Sequence, residues 1–229
     1  MKPHKSINEM LVMQSALNDM TNGADWRSGK TALGKVIDWR RCIVMETAEL
    51  IDSYPWKHWK AVDAATDIKN VRVELVDIWH FLLSLALENF SAEKAAQLLN
   101  KGLLESNGLQ MVSSELSAIE QVGIHETMMR MALEPVTVSE NYLLNLSKAF
   151  FDSCKVAELD FEQLHQTYMA KNVLNKFRQD HGYKEGSYIK EWNGKEDNVV
   201  MFEIIAQMSD FSGDALYLSL KESYQNIKA

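Results

Sequence analysis

Two acidic couples, Glu46-x-x-Glu49 and Glu74-x-x-Asp77, lie in stretches whose other residues are largely apolar. Residues three apart share one face of a helix. Each couple therefore projects together, the first from a helix expected over residues 36–51 and the second from one expected over 71–87. The second stretch, VRVELVDIWHFLLSLAL, is apolar almost all round and expects burial. A buried bare carboxylate costs several kcal/mol even after relaxation, so four acids placed this way ask for a cation. The reading without a metal leaves Glu46 and Glu49 on a wet helix edge and pairs Asp77 with Arg40 or Arg41.

Ligand type narrows the choice of metal. Oxygen-only sites suit Mg²⁺, Mn²⁺ or Ca²⁺, whereas zinc and redox iron usually bring Cys or His into the set. Mg²⁺ keeps waters and commonly bridges carboxylates to substrate phosphates, so the cluster implies a phosphorylated ligand. A di-iron four-helix carboxylate site carries Glu-x-x-His on each of two helices, and such a pair of motifs is missing here. His80 follows Asp77 by three residues, and in so apolar a helix it reads as a core or supporting histidine rather than a ligand.

A polyphosphate needs local positive charge, because the net charge of −8 opposes nonspecific nucleic-acid binding. Such charge is concentrated in one stretch, Lys171, Lys176, Arg178, Lys184, Lys190 and Lys195, against Asp180, Glu185 and Glu191. The same stretch is also consistent with a solvated helix followed by a polar loop. Its loop, HGYKEGSYIKEWNGKEDN, lacks the order of a P-loop and any G-x-S-x-G or HExxH context. Near the N-terminus, Gln14 and Asn18 are four apart and share a face; they are either base-reading amides or plain surface residues.

The elements that carry these groups are helical. With 229 residues, 46% hydrophobic content and 3 Pro, the chain can bury one sizeable core, and a single domain over 1–229 is expected. Long stretches of 3.6-residue period and no repeated alternating β-branched runs predict an all-α fold, a helical bundle. A first helix is expected over 7–20, and Pro55 should close the first acidic helix. The region 91–160 reads only as helical, with patches separated by Asn107-Gly108. Asp160 and Gln163 resemble a capping box for a helix running to about Gln179, and two short helices over 199–208 and 215–227 close the chain. Two cysteines, Cys42 and Cys154, are too few for a disulfide framework. With no signal-peptide core and no uncharged run of membrane-spanning length, a cytoplasmic protein is expected, without membrane or nucleic-acid partners.

The strings WRRCIVMETAELIDSYPWKHWK, NVRVELVDIWHF and KNVLNKFRQDHGYKEGSYIKEWNGKEDN resemble the dimeric all-α dUTPases, relatives of the MazG-like all-α NTP pyrophosphatases. The resemblance implies hydrolysis of dUTP, and of dUDP, to dUMP in a site with two or more Mg²⁺ ions, Mn²⁺ being possible, and a homodimer. It implies that Glu46, Glu49, Glu74 and Asp77 are metal ligands, with Glu46 or Glu49 taking a proton from water. It places Gln14 and Asn18 at uracil, and Trp56, His80, Phe81 and Asn175 near the nucleoside. Lys171, Arg178, Tyr183, Lys184, Lys190 and Asn198 are implied at the phosphates. Two other functions fit the same residues, a MazG-like pyrophosphatase for another dNTP such as dCTP, and a non-catalytic metal-binding helical regulator.

Overall fold

A computed structural model describes residues 2–59, 64–106 and 116–227, and the Asn107-Gly108 separator lies outside the described residues. Among the described residues nine α-helices carry the fold: α1 (Pro3–Asn22), α2 (Trp39–Asp52), α3 (Ile68–Asn89), α4 (Ala92–Glu105), α5 (Ala118–Leu133), α6 (Glu140–Val156), α7 (Phe161–Asp180), α8 (Asp197–Gln207) and α9 (Gly213–Gln225). Strands β1 (Glu191–Trp192) and β2 (Lys195–Glu196) form a small antiparallel hairpin between α7 and α8. The basic stretch expected as plain loop thus contains a hairpin.

Local chemistry sets the helix starts. Asp38 accepts from the Arg41 amide and Asp67 from the Asn70 amide, so α2 begins three residues later than expected and α3 three earlier, each at a carboxylate that satisfies a free amide of the first turn. Pro3 sits in the first turn of α1, where its missing N–H is harmless. The Asp160–Gln163 capping box is present in both directions, 2.8 and 3.0 Å. A second box, Ser117–Glu120, opens α5.

Helix α3 is the axis of the main core, packing on α1, α2, α4, α6 and α7. Trp79 stacks on Phe150 at 5.0 Å between centroids, and its Nε1 donates to Met10 Sδ. Helices α4 and α6 approach so closely at Gly102 that a Cβ there would lie 2.0 Å from Ser147 Oγ. A second cluster gathers Ala170, Leu174, Phe177, Trp192, Met201, Leu216 and Leu220. It joins the C-terminal half of α7 to the hairpin, α8 and α9, while the N-terminal half of α7 belongs to the main core. Helix α7 thus bridges the two packing centres, and its residues Lys171, Asn175 and Arg178, spaced four and three apart, share one face between them. Among the described residues, no helix is long and apolar enough to cross a membrane.

Candidate active site

Glu46 from α2 and Glu74 and Asp77 from α3 bring carboxylate oxygens within 4.8 Å of one another. Burial, then the charges of Asp77, Glu74 and Glu49, push the Glu46 carboxyl up to about 8. Glu74 is also raised, first by burial and then by Asp77. The Glu46 carboxyl hydrogen-bonds to Glu74. Anionic oxygens this close repel one another unless a proton or a cation lies between them. An all-carboxylate donor set this crowded fits a hard divalent cation.

The fourth acid stands apart. Glu49 is exposed and lies outside the trio, lining a neighbouring cleft with Asp52, Ser53, Asp67, Asn70 and Glu74. Three residues advance a helix by about 300°, so Glu49 is turned roughly 60° away from Glu46. Glu74 lines this second cleft too, so Glu49 faces one member of the trio there rather than joining all three. Nor does Asp77 pair with arginine. Its Oδ2 accepts from Lys171 Nζ at 2.9 Å, while Arg40 donates to the carbonyls of Glu134 and Val136 and Arg41 pairs with Asp38. Helix α7, and not α2, supplies the counter-ion because its face packs along α3.

Beside the trio opens a cleft of about 380 Å³, lined by Gln14, Asn18, Trp39, Glu46, Asp77, His80, Phe81, Asn175, Arg178 and Tyr183 together with Leu17, Thr21, Asn22 and Gln179. Four helices meet here, α1, α2, α3 and α7. Gln14 and Asn18 are not surface residues; each is 3% exposed. Gln14 Nε2 donates to Asn18 Oδ1 at 3.1 Å and to Ser84 Oγ at 3.0 Å, Asn18 Nδ2 donates to Ser84 Oγ at 3.0 Å, and Gln14 Oε1 accepts from the Tyr168 hydroxyl. Phe81 stacks against Trp39 at 6.2 Å, forming an aromatic wall. His80 belongs to the core as expected. Its Nδ1 bonds to the Val76 carbonyl at 2.8 Å, and burial lowers it to about 4, so the ring is neutral at working pH with Nε2 as an acceptor.

On the basic side, Asp197 is fully buried and takes two parallel bonds from Arg178, Nε to Oδ2 and Nη2 to Oδ1, both 2.8 Å. Tyr188 donates to the same carboxylate at 2.8 Å. Burial pushes Asp197 up, but Arg178 and Tyr188 outweigh it and hold the group below its ordinary value. Arg178 Nη1 reaches Asn175 Oδ1. Lys171 also donates to Asn198 Oδ1 at 3.0 Å, joining α8 to the acidic trio.

The remaining expected residues lie further out. Lys184 donates to the Thr21 carbonyl at the cleft rim. Lys190 is exposed and lies 3.8 Å from Glu196, because the hairpin turns it toward its own acid. Trp56, 42% exposed, packs on Trp59 and is not among the residues lining the cleft. Cys42 is raised by burial and by Glu46, the wrong direction for a nucleophile.

Sequence reasoning missed Ser84, Tyr168, Asp197 and Tyr188. Ser84 carried a signal, a polar residue in the run LLSLAL seven after Asp77 and on the same face. Asp197 sits beside Asn198 in a string already singled out. Tyr168 carried none.

No curated protein matches the chain. The family model described as dUTPase matches residues 6–183, a span that holds the carboxylate trio, the amide pair and Arg178, and the chain accordingly belongs to the all-α dUTPase family, hydrolases that cleave dUTP.

Proposed function

We propose that the chain hydrolyses dUTP, and also dUDP, to dUMP in a Mg²⁺-dependent reaction, releasing pyrophosphate from dUTP. The observation that carries this reading is a cleft lined together by Glu46 and Asp77 of the acidic trio, by the buried amide pair Gln14 and Asn18, and by Arg178. Glu46, Glu74 and Asp77, with Glu49 from the neighbouring cleft, would hold two or more Mg²⁺ ions, and Mn²⁺ suits the same oxygens. Bound there, the cations supply Lewis-acid polarisation of the phosphate chain and make a water acidic enough to react near neutral pH.

The side chains supply the rest. Water attacks the β-phosphorus of dUTP, forming a new P–O bond as the bond from that phosphorus to the α-phosphate oxygen breaks. The products are dUMP and pyrophosphate. A carboxylate oxygen of Glu46 takes the water's proton; of the two glutamates on α2 it is the more buried and the one that joins the trio. Arg178, Lys171, Tyr183 and Lys184 offset charge along the polyphosphate, with Asn198 and Lys190 closing from the hairpin side. Asn175 and His80 contact the sugar, the Phe81 wall excludes the thymine methyl, and Gln14 and Asn18 read the base. Trp56 reaches the nucleoside only if its segment moves.

The chain works as one cytoplasmic domain and pairs as a two-fold homodimer, with exposed apolar residues such as Met45 and Leu133 available for an interface. Sedimentation at micromolar concentration is expected to give a dimer. The central test is pyrophosphate release from dUTP by metal-stripped protein with and without added Mg²⁺, beside dCTP, dTTP and UTP. Equal kcat/KM for dUTP and dCTP would move the reading to a MazG-like pyrophosphatase of broader range. Asp77→Asn and Glu49→Gln are both expected to abolish Mg²⁺-dependent turnover while the helical spectrum persists; full turnover in both would refute the metal assignment, and no turnover by wild-type protein would leave a helical metal-binding regulator.

A further inference from the structure

We propose that Ser84, which does not line the cleft, is a positioning residue that sets which pyrimidine the cleft accepts by holding the Gln14 and Asn18 amides in one orientation. This rests on the reading of those two amides as the base contacts.

A serine hydroxyl has one proton and two lone pairs. Ser84 Oγ donates to the His80 carbonyl, one turn back along α3, at 2.8 Å; its other possible acceptor, Asn18 Oδ1, is 3.5 Å away. With its proton on His80, the oxygen can only accept. It receives Gln14 Nε2 and Asn18 Nδ2, each at 3.0 Å. Gln14 uses its second amide proton on Asn18 Oδ1, and its Oε1, 3.1 Å from the Tyr168 hydroxyl, shares that one proton with the nearer Met10 carbonyl at 2.9 Å.

The groups left for a ligand are one N–H of Asn18, one lone pair on Asn18 Oδ1 and at least one on Gln14 Oε1. Uracil presents N3–H as a donor beside O4 as an acceptor. Cytosine presents the reverse, an acceptor at N3 beside an amino donor. Rotating the Asn18 amide by half a turn exchanges its donor and acceptor and would suit cytosine. That rotation sets Oδ1 against the Ser84 oxygen and Nδ2 against Gln14 Nε2, two like-for-like contacts. Ser84 is 0% exposed and the two amides 3%, so water does not relieve them. Rotating Gln14 fails in the same way, since Oε1 would then face both Ser84 Oγ and Asn18 Oδ1.

The test compares kcat/KM for dUTP and dCTP in wild-type protein, Ser84→Ala, Ser84→Cys and Asn18→Ala, with thermal melting to show that each variant folds. Ser84→Ala removes the acceptor, and Ser84→Cys keeps a proton for His80 but offers only a weak acceptor; it decides the matter if the alanine variant does not fold. The expected result is a dUTP-to-dCTP preference lowered roughly 10- to 100-fold in the Ser84 variants, with the preference for dUTP over UTP unchanged. If Asn18→Ala loses base discrimination while folded Ser84 variants keep the wild-type ratio, the positioning role is wrong and the base reading stands. An equal loss toward both nucleotides in the Ser84 variants also overturns it, since that is what general damage does. If Asn18→Ala keeps the wild-type ratio, the base reading itself is wrong and the role of Ser84 falls with it.

Discussion

Lys171 Nζ lies 2.9 Å from Asp77 Oδ2, with the lysine side chain 2% exposed and the aspartate 22%. The most buried cation of the basic face is therefore bonded to an acid of the trio. Through Asn198 the same ammonium ties the start of α8 to the acidic helices. In the proposed reaction an arriving phosphate would compete with Asp77 for Lys171 and a metal at Asp77 would free the lysine, so the two binding events would be coupled.

Lys171→Met tests this coupling. Removing one partner of a largely buried pair costs about 3 kcal/mol, so metal-stripped variant protein is expected to unfold at lower denaturant concentration than wild type. Mg²⁺ binding to the folded state then restores part of the loss. The measurement is urea unfolding in chelator and in Mg²⁺, and the stabilisation by Mg²⁺ is expected to be larger in the variant. An equal or smaller response would show that Lys171 does not balance Asp77.

The crowded trio makes metal-free stability depend on pH with a definite sign. Glu46 has a folded-state value of about 8 against an ordinary 4.5. Its contribution is fully present below pH 4.5 and is lost as pH rises through about 8, because the folded state must give up a proton it holds tightly. Glu46→Gln, neutral throughout, is expected to raise the melting temperature relative to wild type more at pH 8.5 than at pH 5, in chelator. The same shift at both pH values would mean that Glu46 titrates normally.

Asp197 is expected to matter for turnover although it does not line the cleft. Its two bonds fix the plane of the Arg178 guanidinium, leaving Arg178 edges free toward the cleft that it lines. Asp197→Asn replaces an acceptor with a donor opposite Arg178. A catalytic group misplaced by about 1 Å loses on the order of 10²-fold in rate, so kcat/KM for dUTP is expected to fall by that factor while deoxyuridine binding is retained. Unchanged kcat/KM in a folded variant would separate Arg178 from the phosphates.

Hydrogen exchange should divide the segment after α7 into two parts. Residues 183–187 are exposed and are expected to gain protection only when a nonhydrolysable dUTP analogue and Mg²⁺ are both present, deoxyuridine alone having no phosphate to order them. Beyond them the chain is anchored. Tyr188 stacks on Tyr224 at 5.3 Å and 8°, the Ile189 amide donates to the Tyr224 hydroxyl, and Trp192 is 2% exposed. Amides from 189 to 192 are expected to be protected in all states. Equal protection of both parts without ligand would make the whole segment a preformed wall.

Helix α9 carries that anchor, and its sequence reads merely as a closing helix. Tyr217 and Tyr224 reach Phe177 at 5.4 and 5.5 Å, and Tyr188 links Tyr224 to Asp197. Periodicity predicted a helix here, but nothing local shows that its aromatics brace Phe177, Tyr188 and, through Tyr188, Asp197.

The sequence by itself determined what depends on near neighbours. Helices follow from the 3.6-residue period, and their starts from caps such as Asp160 with Gln163, because these interactions span three or four residues. The placement of Glu74 and Asp77 on one face of a buried helix was legible for the same reason. Tertiary structure alone decided which groups meet. Ser84 touches Asn18 across 66 positions, Tyr168 touches Gln14 across 154, and Lys171 meets Asp77 across 94. It also separated Glu49 from the trio and turned Lys190 to Glu196. Spacing along the chain fixes the direction of a side chain relative to its own helix axis, whereas its partner depends on how that helix is rotated and docked, which the packing of α3 and α7 against the rest of the core sets.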